Sequence, residues 1–157
     1  GVSAHFETGT QVSAIPGDKF LYATANAGFE GDGWNLHVLG VAAYNDFVDG
    51  GSGDYTTDLG FLVQGGFFVA EDVELFSRLD WVEGGDDRAN DEPFRSLTAG
   101  FNWYIVPDSQ RLKVTSNVIW FFDGTEGSIV SPTTSAGLLA AERGGQAALQ
   151  VQLQLIF

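Results

Sequence analysis

A chain of 157 residues with 21 Asp and Glu against seven Lys and Arg, a formal net charge of −14, has too few cations to neutralise a phosphate backbone, which excludes a nucleic-acid partner. The absence of Cys rules out a disulfide scaffold or Cys-based zinc site, and no apolar run reaches the roughly 18 residues of a transmembrane helix. With 21 Gly, 13 Phe, 4 Trp and 4 Tyr, the composition favours β-strands joined by tight turns. The chain opens Gly-Val-Ser-Ala-His, contains no Met and shows no signal peptide, the expectation for a processed protein or a piece of a longer one.

Alternation of polar and apolar residues predicts about eight strands, roughly 2–11, 20–30, 34–45, 57–69, 73–83, 94–105, 111–122 and 146–157. Each has about the length that a tilted strand needs to cross a bilayer. In the fourth, Leu59, Phe61, Val63, Gly65, Phe67 and Val69 share one face. The fifth sets Val73, Leu75, Leu79 and Trp81 against Glu74, Phe76, Arg78 and Asp80. The sixth sets Leu97, Ala99, Phe101, Trp103 and Ile105 against Ser96, Thr98, Gly100, Asn102 and Tyr104. In the seventh, Leu112, Val114, Val118 and Trp120 oppose Arg111, Lys113, Thr115 and Asn117, and in the last Val151, Leu153, Leu155 and Phe157 oppose Gln150, Gln152 and Gln154. A soluble domain hides such an apolar face in a core, as a lipocalin-like barrel would, whereas a transmembrane barrel shows it to lipid and keeps the polar face for its lumen.

The connections alternate too. Short turns follow the second, fourth and sixth strands, at Gly31-Asp32-Gly33, Ala70-Glu71-Asp72 and Pro107-Asp108-Ser109-Gln110, with the residues that turns require. Longer loops, 12–19, 46–56, 84–93 and 123–145, follow the odd strands. Outer-membrane barrels have this asymmetry of short periplasmic turns and long external loops. Trp34, Tyr44, Trp81, Trp103, Trp120 and Phe157 fall near strand ends on the apolar face, where interface girdles sit, although aromatics also favour strands for packing alone.

On the polar face, Glu74, Arg78, Asp80, Arg111, Lys113, Asn117, Gln150, Gln152 and Gln154 are the pore-lining candidates. Charges there set the field that a permeating ion feels, or support the wall as a network. The acidic loops, with Asp46, Asp49, Asp54, Glu83, Asp86, Asp87, Asp91, Glu92, Asp123 and Glu126, read either as hard-oxygen sites for divalent cations or as solvated, mutually repelling surface. His5 and His37 have no Gly-x-Ser-x-Gly or comparable nucleophile motif beside them, so neither catalysis nor a cofactor is expected. Gly50-Gly51-Ser52-Gly53 and Gly84-Gly85 precede no predicted helix, which removes a phosphate-loop reading.

Gln150, Leu155 and the terminal Phe157 resemble the signal by which barrel-insertion machinery reads Gram-negative-type outer-membrane proteins, with Gln152 where Gly is usual. From about Leu59 onward the chain also resembles the C-terminal part of the phosphate-selective porin O/P family. Gly60–Val69, Val73–Trp81, Thr98–Tyr104, Arg111–Val114 and Leu149–Phe157 carry the likeness. The resemblance implies a barrel of roughly sixteen strands, usually a trimer, embedded in outer-membrane lipid, of which this chain would supply about half. The other expectation is a closed eight-stranded barrel, whose interior side chains nearly fill. Anion selectivity does not carry over, because Arg78, Arg111 and Lys113 are the only clear inward cations and the loops are acidic. The expected fold is an all-β, antiparallel up-and-down transmembrane barrel. The expected function is passive diffusion of small hydrophilic solutes or ions, the alternative being a non-conducting barrel that displays acidic extracellular loops.

Overall fold

Among the described residues, the period-two alternation is realised as strand. The computed structural model describes residues 1–8, 19–47, 54–85, 92–106, 111–125, 141 and 143–156, and among them there is no helix. The strands are β1 (Val2–Thr8), β2 (Lys19–Gly31), β3 (Trp34–Phe47), β4 (Asp54–Ala70), β5 (Val73–Glu83), β6 (Phe94–Tyr104), β7 (Leu112–Phe121) and β8 (Ala147–Leu155). They form one antiparallel sheet in sequence order, each strand paired with the next. Two-residue turns force antiparallel pairing at β2–β3 and β4–β5, because so short a loop can join only antiparallel neighbours. Asp32-Gly33 closes the β2–β3 hairpin, with Gly33 at φ 75° supplying the left-handed backbone. Glu71-Asp72 closes β4–β5 next to a register shift between Phe68 and Ala70. The Pro107–Gln110 turn lies outside the described residues, as do Phe157 and the acidic loop residues Asp49, Asp86, Asp87, Asp91 and Glu126.

Among the described residues, β1 pairs only with β2 and β8 only with β7, so the sheet is open and the expected closure of eight strands on themselves is not formed. The exposure of β8 reflects its position at an edge. Leu149, Val151 and Leu153 are 73%, 70% and 65% exposed, against 38%, 39% and 37% for Leu75, Leu79 and Leu97 on flanked strands.

Polarity is inverted relative to a soluble domain. Asn45, Thr56, Asp58, Glu74 and Ser96 are buried, whereas Phe61, Phe67, Leu75, Trp81, Phe101, Trp103 and Trp120 are exposed. The register explains the sorting. Phe61 stands opposite Trp81 and Phe67 opposite Leu75 on one face, with Leu62 opposite Asp80 and Phe68 opposite Glu74 on the other. On that second face the polar side chains shelter one another through hydrogen bonds at Asn45–Thr56–Asp58 and around Glu74. The outer face carries aromatics near both ends: Trp34 and Trp103 at the short-turn end, and Trp81, Trp120 and the stacked Tyr44–Tyr55 pair (ring centroids 5.9 Å apart) at the long-loop end. Trp103 also donates its indole N–H to Asp72 Oδ2 at 3.1 Å, tying the ring to a turn.

Candidate functional site

Glu74 organises the short-turn end of the polar face. It is 7% exposed, and a carboxylate so sheltered must be hydrogen-bonded. Asn35 Nδ2 on β3 donates to its Oε1 at 2.9 Å, while Asn102 Nδ2 and Tyr104 OH on β6 donate to Oε2 at 2.9 and 2.7 Å. One side chain on β5 thereby braces four strands, β3 to β6. Its reach to β3 passes over Gly66 of β4, where an added Cβ would stand 2.5 Å from Glu74 Oε1 and 3.1 Å from Asn35 Nδ2. Space, not backbone angle, favours glycine there, since a larger residue would displace the end of the Glu74 side chain. Thr115 on β7 extends the network by donating to Asn102 Oδ1 at 2.6 Å. The Lys113 ammonium lies 5.7 Å from the centre of the Tyr104 ring, which stacks on Phe68 at 5.6 Å.

These groups border a recess of about 590 Å³, lined further by Gln64, Glu71 and Phe76. Its wall offers amides, a hydroxyl, an ammonium and aromatic faces, a mixture that replaces the water partners of a small polar solute. Two of the sequence candidates, Glu74 and Lys113, line it directly. Arg78 and Asp80 stand further along β5 and neutralise each other: Arg78 Nε donates to both carboxylate oxygens at 2.8 and 2.9 Å, and Nη2 to Oδ1 at 2.6 Å. Lys113, Thr115 and Asn117 on β7 face Gln154, Gln152 and Gln150 on β8, so all three predicted glutamines lie on the polar side. Arg111 precedes β7, and its backbone carbonyl accepts from Ile156 N at 2.8 Å. Asn35, Asn102, Tyr104 and Gln64 were not singled out by the sequence, because only the register brings them to Glu74.

The long-loop end is built differently. On β3–β4, Asn45 Nδ2 reaches Thr56 Oγ1 and Asp58 Oδ2, each at 3.4 Å, and Gly85 N donates to Asp58 Oδ1 at 3.2 Å. On the β5–β8 flank the same face turns apolar. Phe94 and Phe121 pack with ring centroids 6.1 Å apart, Ala141 sits on them at 1% exposure, and Val82, Ile119 and Ala148 complete the cluster. Beside it Arg95 holds Asp123 with two hydrogen bonds, Nε to Oδ2 at 2.8 Å and Nη2 to Oδ1 at 2.9 Å. Those bonds, helped by the guanidinium charge and opposed by partial burial, keep the Asp123 carboxyl below the usual carboxylate range.

Among the described residues, no group of three or more His, Cys, Asp or Glu is placed to hold a metal ion. Of the insertion-signal residues, Gln150 and Leu155 lie on β8, on opposite faces, and Phe157 is outside the described residues. Comparison with known protein families, with curated proteins and with solved structures finds no match to this chain.

Proposed function

We propose that this chain forms wall of a porin-type channel in the outer membrane of a Gram-negative-type bacterium, through which small hydrophilic solutes diffuse passively. The observation that carries the reading is the inverted polarity. An exposed apolar face spanning the whole sheet is what lipid demands, and an opposite face carrying the buried Glu74 with Arg78–Asp80, Lys113 and the β8 glutamines is what a water-filled lumen demands. The outer aromatics support the span. Trp103 stands opposite Val73, and Trp81 lies eight residues further along β5, about 26 Å at the usual strand rise. Tilted by about 35–45°, as barrel strands are, that length rises about 20 Å along the membrane normal, within an outward apolar band of about 25 Å.

The open edges favour the larger of the two barrels. In hydrocarbon each unpaired backbone N–H or C=O costs several kcal/mol, so β8 must be covered by a further strand. The likeness of 59–157 to the last strands of phosphate-selective porins supports a larger barrel that supplies it. On that reading the protein is delivered by the barrel-insertion machinery and assembles as a homo-oligomer, a trimer by resemblance. Solutes are selected by size and by a charge-balanced wall, with no catalytic step.

Single-channel conductance in planar bilayers tests the reading. Ohmic, persistent steps are expected. A protein that inserts and never conducts overturns the channel and leaves the non-conducting barrel with acidic loops. Insertion has its own test: Phe101→Arg on the outer face should weaken folding into liposomes by about 2–4 kcal/mol, and an unaffected variant overturns the lipid-facing assignment.

A further inference from the structure

We infer that the recess around Glu74 is a binding site for a neutral pyranose sugar, a monosaccharide or disaccharide; this deepens the reading above and rests on its assignment of the polar face to the water-filled side. The recess is complete within the described strands. Strands β3 to β7 and the β4–β5 turn supply every residue that lines it, and β1, β2 and β8 supply none. A solute reaches it from the open side of the polar face, and no further strand is needed to form it. Its volume of about 590 Å³ falls within the roughly 300–1,000 Å³ of small-molecule sites.

The shape follows from the register. Phe76 stands between Gly66 on β4 and Gly100 on β6, so no neighbouring side chain in its row covers the ring. One row nearer the turns, Phe68 and Asn102 flank Glu74, and Lys113 stands opposite Tyr104. The hydrogen bonds of Glu74 to Asn35, Asn102 and Tyr104 fix this wall before a ligand arrives. Tyr104 is held by its hydroxyl, by the Phe68 ring and by the Lys113 ammonium. Phe68 is 44% exposed, so the pair keeps aromatic surface open to solvent.

A pyranose presents an apolar face of C–H bonds and a belt of hydroxyls, each both donor and acceptor. The recess complements both. Phe68 offers a ring for the C–H face. Asn35 and Asn102 each spend one amide hydrogen on Glu74 and have a second. Gln64 adds a further amide, Lys113 brings donors and Glu71 brings acceptors, the mixture that adjacent hydroxyls use in pairs. Charge decides against the alternatives. Among the described residues, Lys113 is the one cation that lines the recess, against the carboxylates of Glu71 and Glu74, so an anion meets a net negative wall. A cation finds the Tyr104 ring already occupied by Lys113 and Glu74 already engaged by three donors. A neutral ligand avoids both costs.

Saturation-transfer NMR on the protein in detergent micelles tests the site without requiring passage across a membrane. Maltose, the probe, should bind saturably, with the strongest transfer at its ring C–H protons. Sorbitol, which has hydroxyls without the ring, and glucuronate, which adds a carboxylate to it, should both bind more weakly; equal binding of either overturns the assignment. Phe68→Ala should weaken maltose binding roughly tenfold, whereas Leu79→Ala, on the outer face, should leave it unchanged. Parental affinity in Phe68→Ala overturns the inference. Should that variant not fold, Gln64→Ala, outside the Glu74 brace, decides in its place: weakened binding supports the site and unchanged binding overturns it. A protein that binds maltose but never carries current keeps this site and loses the channel. One that conducts without saturable binding loses the site and keeps the channel.

Discussion

At the short-turn end of the polar face, order comes from directed hydrogen bonds that converge on one carboxylate; at the long-loop end, it comes from two Phe rings and a piece of connecting chain folded onto them. The first device ties together strands that are not neighbours, since Glu74 on β5 reaches Asn35 on β3 across Gly66. The second ties the sheet to chain outside it. Polar networks are unforgiving, because a donor left without its acceptor is penalised in full, whereas apolar packing degrades gradually as contacts are lost. The hydrogen-bonded end is therefore the one that demands exact geometry, and the apolar end loses stability in proportion to the contacts removed.

That contrast can be broken by substitution. Phe121→Ala should be the most costly change, about 3 kcal/mol, read from urea unfolding in detergent or lipid. Amide exchange should rise around Thr125 and Gly145 while the Glu74 end stays protected; equal loosening at both ends would show that the two are one cooperative unit. Glu74→Ala should cost about 2 kcal/mol by stranding the donors of Asn35, Asn102 and Tyr104. Glu74→Gln, which keeps one acceptor oxygen, should recover part of that, and an Ala variant as stable as the parent would refute the brace. Gly66→Ala should cost about 1 kcal/mol, because a flexible carboxylate end can retreat from the new methyl group only by loosening its bond to Asn35. If Glu74→Ala is introduced first, the Gly66 substitution should become nearly neutral, a coupling that a double-mutant cycle reads directly.

The smallest effect is that of pH at Arg95–Asp123. Asp123 has its folded-state pKa depressed, so its contribution is present above the unfolded carboxylate pKa and is lost as pH falls through the lower folded value. Stability should decline on acidification below about pH 4, and Arg95→Gln should flatten that part of the profile. An identical profile in the variant would remove the pair from the account.

The eight strands were legible because alternation and turn residues are local signals. The predicted 73–83 strand is the observed β5, and the predicted 34–45 and 94–105 strands differ from β3 and β6 by one or two residues at one end. The fourth strand begins at Asp54, three residues before the predicted start, because pairing of Asn45 with Thr56 and of Asp46 with Tyr55 extends the β3–β4 ladder into the loop. Glu74 and Lys113 were legible as inward charges, but nothing local says that Asn35 shares the carboxylate, a contact 39 residues apart. Ala141 lay furthest out of reach. A small residue in a long connection has no period to betray it, and its burial depends on a latch with Thr125 made after the strands have set the frame.

Inverted polarity also has a consequence for how the chain travels before it folds. Mean hydropathy is +0.02, since many apolar residues on the outward face alternate with polar or small ones. An extended, unpaired chain offers only short apolar runs, such as Val118–Phe122. The oily surface comes into being only when pairing sorts the odd residues from the even. Under the proposed lipid-facing reading, partition into a bilayer and formation of the sheet are a single equilibrium, and the apparent strength of the fold should track the thickness of the lipid.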